Sequence, residues 1–373
     1  MRRWLAEHPS PTPRELAESG YVAPHWPEPW GLGAGPVDQL VIDDELERAG
    51  VVRPSNQIGI GWAGPTLLEA GTDAQKERYL LPLLAGDEIW CQLFSEPEAG
   101  SDLAALTTRA VRDGEEWVVE GHKVWTTFAH EAAFGILLAR TDPHAPKHRG
   151  ISYFICPMGS AGVHVRPIVD MTGGHSFNEV FLDRVRIPAE NLVGKVNEGW
   201  ALAKVTLGNE RVSLSGEGAL WGRGPTARDL VGLVRRLGGV SDPGLRDRLA
   251  RVWVQGEILR WIRLRGLAVT ISGGVPGPEV SVRKALADDH GQELMQLALD
   301  LAGVWAQLAG AGPHEGLRAP SPQEWPVGQA GPSSVWAKGF LFSRALTIGG
   351  GTAEVQRNII AERVLGLPSG PVG

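Results

Sequence analysis

Cysteine is scarce in this chain of 373 residues: only Cys91 and Cys156 occur. Their separation matches no metal-ligand spacing, and a single pair makes at most one bridge. Two free thiols in a reducing compartment are expected. Long apolar runs are missing as well. No segment approaches the roughly 20 residues of a membrane span, and the N-terminal "MRRWLAEHPSPTPREL" is basic without the apolar core of a secretion signal. The cytoplasm is the default location. Positive charge is in deficit, with a net charge of −7, so there is no general basic field for nucleic acid. That deficit leaves room for an anionic ligand, which needs only a local basic or backbone site. His130, His144 and His175 are scattered without metal spacing, and no Ser/His/Asp set stands out. No G-x-G-x-x-G follows a strand, so a nicotinamide site of the Rossmann type is unsupported. Internal repeats are absent too.

What remains is an ordinary soluble composition, 43% hydrophobic and 21% charged, long enough for two or three structural units. Residues 1–89 read as a helical domain. In "PVDQLVIDDELERAG", Leu40, Ile42 and Leu46 supply the apolar positions. "TLLEAGTDAQKERYLLPLLAGDE" reads as two helices, the first stopped by Gly71 and the second capped by Thr72. "YVAPHWPEPWGLGAGP" is a loop. Residues 90–195 change character. "HKVWTTFA", "FGILLART", "GISYFICPM", "GVHVRPIVDM" and "NEVFLDRVRIP" are short runs rich in β-branched and aromatic residues, parted by turns such as Asp113-Gly114. They predict an all-β domain, a sandwich or barrel. Residues 196–373 return to helix. "NEGWALAKVTLGNERVSLSGEGALW" is long and periodic; "DPGLRDRLARVWVQGEILRWIRLRGLAVTIS" and "PEVSVRKALADDHGQELMQLALDLAGVWAQLAG" are parted by "GGVPGP". A Pro/Gly-rich loop at roughly 310–334 precedes the last helices. Long amphipathic helices with short links predict a bundle. The fold class is therefore mostly α with a β domain in the middle.

Three stretches have the residue types for chemistry, and each also has a plain structural reading. In "WCQLFSEPEAGSDLAAL" a strand ending at Gln92, Leu93, Phe94 and Ser95 enters a turn and then a short helix capped by Ser101 or Asp102. Its free N–H groups suit an anion or a polar ligand, or the turn is simply capped. In "KVWTTFAH", Trp125, Thr126 and Thr127 suit a flat heteroaromatic ring, or they are a core Trp and two strand threonines. Glu210 shares a helical line with Ala203, Leu207 and Leu214. A carboxylate there loses solvation and becomes a better base, or it is a surface Glu beside Arg211.

Taken in order, these pieces resemble the acyl-CoA dehydrogenase family. "CQLFSEPEAGSD" is similar to its first signature, "GHKVWTTFA" to its flavin-flanking Trp-x-Thr, and "GGGTAEVQRNIIAERVLGLP" to its C-terminal signature. "SFNEVFLDRVRIPAENLVGKVNEGW" is similar to the end of its β domain. The likeness spans nearly the whole chain. It implies an N-terminal helical domain, a middle β domain and a C-terminal four-helix bundle, with FAD between the last two, and an assembly of four chains. It also implies the reaction. A carboxylate removes the α-proton of an acyl-CoA thioester, the β-hydride passes to flavin N5, a trans-2-enoyl-CoA forms, and electrons leave through an electron-transfer flavoprotein.

Carried over by position, the resemblance implies that Gln92, Leu93 and Ser95 contact the isoalloxazine, that Trp125 covers it, and that Thr127 lies near N5. Thr352 and Glu354 are implied as cofactor contacts, and Ser101 and Arg211 as substrate contacts. Many members place the base immediately before the Gly-Thr of the C-terminal signature. That position is Gly350 here, between Gly349 and Gly351. A minority, including isovaleryl- and long-chain-type enzymes, carry the base on the first long helix of the bundle, and the matching residue is Glu210. The Gly350 N–H would still polarise the thioester oxygen.

Several features depart from the family. Its adenosine-gripping Arg-x-x-Phe has no clear counterpart in "RDLVGLVRRLGG", its Gln-x-x-Gly-Gly is reduced to "DLAGV" at Asp300–Val304, and the N-terminus looks short by a helix. The triple glycine enlarges the pocket, which implies a bulky acyl group such as a branched, cyclic or steroid side-chain thioester. It also resembles members built from unlike subunits. Two other readings stand beside dehydrogenase: a non-catalytic partner subunit of a heteromeric enzyme, and an oxidase- or monooxygenase-like relative.

Overall fold

The computed structural model describes residues 1–213, 218–220, 223–272, 277–278, 280–303 and 332–368, the side chains of 211–213, 270 and 332–334 aside. The chain forms two compact units. One comprises Met1–Ile168 with His175–Glu210, and the other Val169–Gly174 with Arg211–Gly373.

The first unit opens with helices α1 (Arg2–Glu7), α2 (Pro13–Glu18), α3 (Pro36–Arg48), α4 (Gly64–Ala70) and α5 (Asp73–Ala85), α4 being entered through a π-helical turn at Gly59–Ala63. Gly71 ends α4, and Thr72 caps α5 in a reciprocal box: the Thr72 hydroxyl accepts from the Gln75 N–H while Gln75 Oε1 accepts from the Thr72 N–H. The pattern in α3 is a correction. Ile42, Glu45 and Leu46 are buried, whereas Leu40 is exposed, because two residues turn a helix by about 200° and place Leu40 opposite Ile42. Glu45 tolerates this site because Arg2 and Arg48 donate to its carboxylate.

The strands are β1 (Trp90–Leu93), β2 (Arg109–Asp113), β3 (Glu116–Thr127), β4 (Phe134–Arg140), β5 (Ile151–Pro157), β6 (Val163–Ile168), β7 (Phe177–Pro188) and β8 (Leu192–Val193). They form one sheet in the order β6-β7-β3-β2-β4-β5-β8, with β1 also beside β4. Side-chain alternation splits β4 and β5 between two cores. Ile136, Leu138, Ile151, Tyr153 and Ile155 pack with the N-terminal helices. Leu137, Ala139, Phe154 and Cys156 pack with Trp117, Val119, Val180 and Val185 from β3 and β7, so the sheet curls over its own core. Cys91 and Cys156 are free and buried there. β1 and β5 flank opposite edges of β4, with Gly135 between the two cysteines in register. Burial pushes the Cys156 thiol up to about 12.

Helix α6 (Gly199–Ser213) follows the sheet; residues 214–217 and 221–222 of the predicted helical stretch lie outside the described residues, and Leu220 forms a β-bridge with Arg223. The second unit has helices α7 (Ala227–Arg236), α8 (Pro243–Ile271), α9 (Val280–Ala302), α10 (Pro332–Ser343) and α11 (Ala353–Ile359). Its core is built on Leu230, Leu233, Val252, Leu294, Met295, Ala298, Trp336 and Leu346. The predicted Pro/Gly-rich loop at 310–334 lies outside the described residues up to the start of α10.

One buried side chain ties the helical segment to the start of the sheet. Asn56 Nδ2 donates to the carbonyls of Leu83 (2.9 Å) and Glu88 (3.0 Å), while its Oδ1 accepts from the N–H groups of Gly59 and Trp90 at 3.3 Å each. Asn56→Ala leaves these buried backbone groups without that partner. It is expected to destabilise the fold by about 2–4 kcal/mol, read as a lowered midpoint of urea unfolding.

Candidate active site

β1 and β2 occupy the same edge of β4: β1 pairs with residues 134–137 and β2 meets Arg140. Between them the chain leaves the sheet at Phe94 and returns at Arg109, and this excursion holds the "SEPEAGSD" stretch. It is fastened to β3. The Val124 N–H donates to the Ser95 carbonyl at 3.0 Å. Lys123, fully buried, donates to the Phe94 carbonyl at 3.0 Å and to Glu96 Oε1 at 2.8 Å. Glu96 also accepts from the Thr107 N–H and hydroxyl, both at 2.7 Å, and from the Thr108 N–H at 2.9 Å. Burial alone would raise the Glu96 carboxyl, but the Lys123 ammonium and these hydrogen bonds outweigh it and hold the group at about 2, against an ordinary 4.5. Burial draws Lys123 down to about 8, with Glu96 pulling the other way.

Immediately beyond Lys123 the β3–β7 pairing slips by a bulge between Lys123 and Thr126. Trp125 sits in that bulge at φ +60°, a left-handed conformation that costs a non-glycine residue about 1–2 kcal/mol. The bulge turns its indole outward, 60% exposed, with its edge on Phe177. Thr126 is buried and Thr127 half-buried. Asn178, paired with Thr126 across the strands, donates from Nδ2 to the Thr126 carbonyl at 2.9 Å. Among the described residues, Gln92 Oε1, Thr126 Oγ1 and Asn178 Oδ1 are buried oxygens without a hydrogen-bond partner. Orphaned buried polar atoms are uncommon in native proteins. Here they accompany an outward-turned indole.

The structure thus joins Ser95 to the strand that bears Trp125 and Thr127, through the Val124–Ser95 hydrogen bond. Leu93 is buried in the sheet core, so only its backbone can face a ligand. Ser101 is exposed, and the helix it was expected to cap is a three-residue 3₁₀ turn, Leu103–Ala105, with no side-chain cap from Asp102. Asp102 instead meets Lys147 at 2.5 Å. Glu210 is half-buried on α6, with Ala203 fully buried on the same line and Leu207 partly so. Leu214 and the side chain of Arg211 lie outside the described residues.

The remaining candidates lie in the second unit. Gly350 and Gly351 have φ of +68° and +91°, left-handed values that glycine adopts without strain. Thr352 caps α11, its hydroxyl accepting from the Val355 N–H at 3.3 Å. Gln356 Nε2 donates to the Gly350 carbonyl at 3.1 Å, and Lys284, buried and paired with Asp288, donates to the Leu346 carbonyl at 2.9 Å. Burial raises the Asp288 carboxyl to about 6 against the pull of Lys284. Glu354 is exposed beside Arg357. Asp300, in the reduced "DLAGV", pairs with Arg248 at 2.7 Å, and Val304 lies outside the described residues.

A curled sheet that turns an indole outward, preceded and followed by helices, suits a flat aromatic ligand. Family models agree: the N-terminal, middle and C-terminal domains of acyl-CoA dehydrogenases match residues 1–87, 91–185 and 197–365. The acyl-CoA dehydrogenase FadE34 of Mycobacterium tuberculosis is 43% identical over 95% of this chain, which spans 45% of that protein's length. The acyl-CoA dehydrogenase IpdE1 of the same organism is 39% identical over 95% of the chain and 87% of its own. Among solved structures, the Tcur3481-Tcur3483 steroid ACAD aligns at 30% identity and a TM-score of 0.79, covering 96% of this chain and 88% of that one. The ChsE4-ChsE5 complex from Mycobacterium tuberculosis aligns at 32% and 0.75, covering 96% and 89%. The chain belongs to the acyl-CoA dehydrogenase family, whose members are FAD-dependent flavoproteins. The donors and acceptors around Trp125 fit a flavin: a planar ring with a polar edge needs an aromatic cover and oxygens such as those of Gln92, Thr126 and Asn178.

The pairing of Lys123 with Glu96 was not legible in the sequence, although both residues fall inside recognisable motifs. Removing one partner isolates a buried charge, so Lys123→Met is expected to cost about 3–5 kcal/mol, and the double variant Glu96→Leu/Lys123→Met to recover most of it. Because the Glu96 carboxyl is depressed, its stabilisation is complete above about pH 4.5 and is lost as pH falls toward 2. Acid titration of unfolding should therefore be steeper in this window for the wild type than for the double variant.

Proposed function

We propose that this chain catalyses FAD-dependent α,β-dehydrogenation of an acyl-CoA thioester to the trans-2-enoyl-CoA, with Glu210 as the base. The supporting observation is the supply of carboxylates. Gly350 stands where many family members carry the base, whereas Glu210 is half-buried on α6 with its Oε2 enclosed. A base needs only to reach its proton, whichever segment carries it. In this reading Glu210 takes the α-proton. The N–H of Gly350 donates to the thioester oxygen, a contact that needs no side chain. Trp125 covers one face of the ring and excludes water, Gln92, Ser95 and Thr127 meet its polar edge, and Thr352 and Glu354 contact the cofactor. Ser101 and Arg211 meet the substrate. When bound, FAD supplies the acceptor for the β-hydride. An electron-transfer flavoprotein then takes the electrons, in the cytoplasm.

A second, finer reading concerns the acyl group and the assembly. Two absent side chains at Gly349 and Gly350 leave room for a branched, cyclic or steroid side-chain acyl group, and one similar structure is titled a steroid ACAD. Another is titled as a complex of two differently named chains. With Asp300 engaged by Arg248, an unlike partner subunit that helps hold the adenosine half of FAD is the assembly we favour, in a tetramer or dimer.

Anaerobic flavin bleaching tests the base. After reconstitution with FAD, the wild type should bleach with acyl-CoA, and Glu210→Gln should bleach about 10²–10⁴-fold more slowly. Equal rates would move the base elsewhere. If neither protein retains FAD, the partner-subunit reading moves to the front.

A panel of acyl-CoAs tests the pocket. Branched or ring-bearing thioesters should bleach the flavin at least about tenfold faster than butyryl-CoA at equal concentration, a discrimination of the size that a few methylene groups provide. Fastest bleaching by straight butyryl-CoA would refute the enlarged pocket.

A further inference from the structure

Three buried hydroxyls meet one helical turn before Glu210. Thr206 Oγ1 lies 2.9 Å from Thr66 Oγ1 and 3.1 Å from the Tyr153 hydroxyl. Thr66 belongs to α4, Tyr153 to β5 and Thr206 to α6, and all three are fully buried. The two threonines also reach back along their own helices, Thr66 Oγ1 to the Trp62 carbonyl at 2.9 Å and Thr206 Oγ1 to the Leu202 carbonyl at 3.1 Å.

Thr206 lies within hydrogen-bond distance of both other hydroxyls. Each hydroxyl has one proton to donate and two lone pairs to accept with. In one assignment Tyr153 donates to Thr206; the proton can also run the other way, and Thr66 is a second partner of the phenol. In the first assignment, one threonine donates to the other and the second to its own i−4 carbonyl, in either order. Every hydroxyl proton is then used without a water, and all of these contacts run through Thr206 or Thr66. Tyr153 is held in its neutral form, because burial pushes its phenol well above its ordinary value.

Helix α6 is also fixed at its start. A Cβ added to Gly199 would lie 2.6 Å from the Ser152 carbonyl carbon, so the helix begins pressed against the β5 backbone where only glycine fits. Asn197, at φ +67°, donates its N–H to Ser152 Oγ at 2.8 Å. Apart from Thr206, α6 packs on the rest of the first unit through Ala203 and, partly buried, Trp200, Leu202 and Leu207. Apolar contact is non-directional and tolerates sliding and rolling. Hydrogen bonds are directional and do not. Glu210 follows Thr206 by four residues, about 6 Å along the axis and about 40° around it.

We infer that Thr206, bridged to Tyr153 and Thr66, is a positioning residue that sets the axial register and roll of α6 and so the point at which Glu210 presents its carboxylate. The inference rests on the reading of Glu210 as base. Thr206 touches no reacting atom; it acts through the helix.

The test compares the wild type with Thr206→Val, Thr206→Ser, Tyr153→Phe and Glu210→Gln, each reconstituted with FAD. Amide hydrogen exchange across residues 203–210 is measured without substrate. Flavin bleaching is measured anaerobically with whichever acyl-CoA of the panel above bleaches the wild type fastest. Thr206→Val should exchange at least about tenfold faster in that segment and bleach about 10–100-fold more slowly, as a displacement near 1 Å would require. Its half-saturating acyl-CoA concentration should change by less than about threefold, since positioning of the base is separate from binding. Thr206→Ser keeps the hydroxyl and should restore both readouts, with Tyr153→Phe in between. If Thr206→Val bleaches at the wild-type rate while Glu210→Gln does not, the inference fails and Glu210 stands as the base. If Glu210→Gln bleaches at the wild-type rate, the assignment of the base fails and the inference with it. Should Thr206→Val not fold, Tyr153→Phe decides: wild-type exchange and bleaching in that variant overturn the inference, and faster exchange with slower bleaching supports it.

Discussion

The Lys123–Glu96 ion pair is the constraint on which the geometry of the β-sheet site depends. An ion pair inside a protein gives little net stability unless the remaining donors and acceptors are used, and here the surroundings use most of them. Lys123 divides its donors between Glu96 and the Phe94 carbonyl, and Glu96 gathers three further donors from Thr107 and Thr108. The result is positional. The pair closes the excursion between β1 and β2 onto β3 two residues before Trp125. The same strand therefore anchors the polar loop and presents the indole. An apolar pair of similar volume could be as stable, yet it would lack the directional bonds that fix the loop's carbonyls.

That anchoring makes the bulge possible. A left-handed tryptophan is unfavourable by itself, and it persists where neighbouring structure determines the path of the chain on both sides. Before Trp125 the path is set by Lys123 and by the Val124–Ser95 hydrogen bond; after it, by the Asn178 amide on the Thr126 carbonyl and by the resumed pairing with β7. The strain has a consequence for ligands. A flat strand would leave the indole on the alternating face that the pleat dictates, whereas the bulge moves it out of that alternation and into solvent.

The sequence reveals the order of elements and hides the contacts between them. β4 and β5 are legible because continuous apolar runs such as "FGILLAR" and "ISYFICP" bury both faces of a strand. The cap at Thr72 is legible because its partner lies three residues away. Leu40 misled because an apolar residue in an amphipathic helix need not lie on the buried stripe, and the stretch after α6 misled where Leu220 forms a β-bridge with Arg223. Among the site residues, Trp125 was recognisable as a type at a spacing. Its φ was not, because the bulge arises from pairing with a strand some fifty residues further on. The polar partners that position the site, Lys123 with Glu96 and Thr206 with Tyr153 and Thr66, are separated by 27, 53 and 140 residues. No local pattern encodes such pairs.

The triple glycine has a backbone consequence beyond the loss of side chains. Gly350 and Gly351 are consecutive left-handed residues, and the Gln356 amide returns from α11 to hold the Gly350 carbonyl. A residue with a Cβ at Gly350 would carry the cost of that conformation, and one at Gly351 would meet Gln356 Nε2 at 2.6 Å. The loop is thus shaped as a turn whose backbone is available and whose side-chain positions are empty. A carboxylate held on α6 and an N–H held in a glycine turn are two separable parts of one proposed reaction. The part that must carry charge lies on a helix, where packing and hydrogen bonds set its position. The part that must only donate lies in the loop, where a backbone N–H is enough.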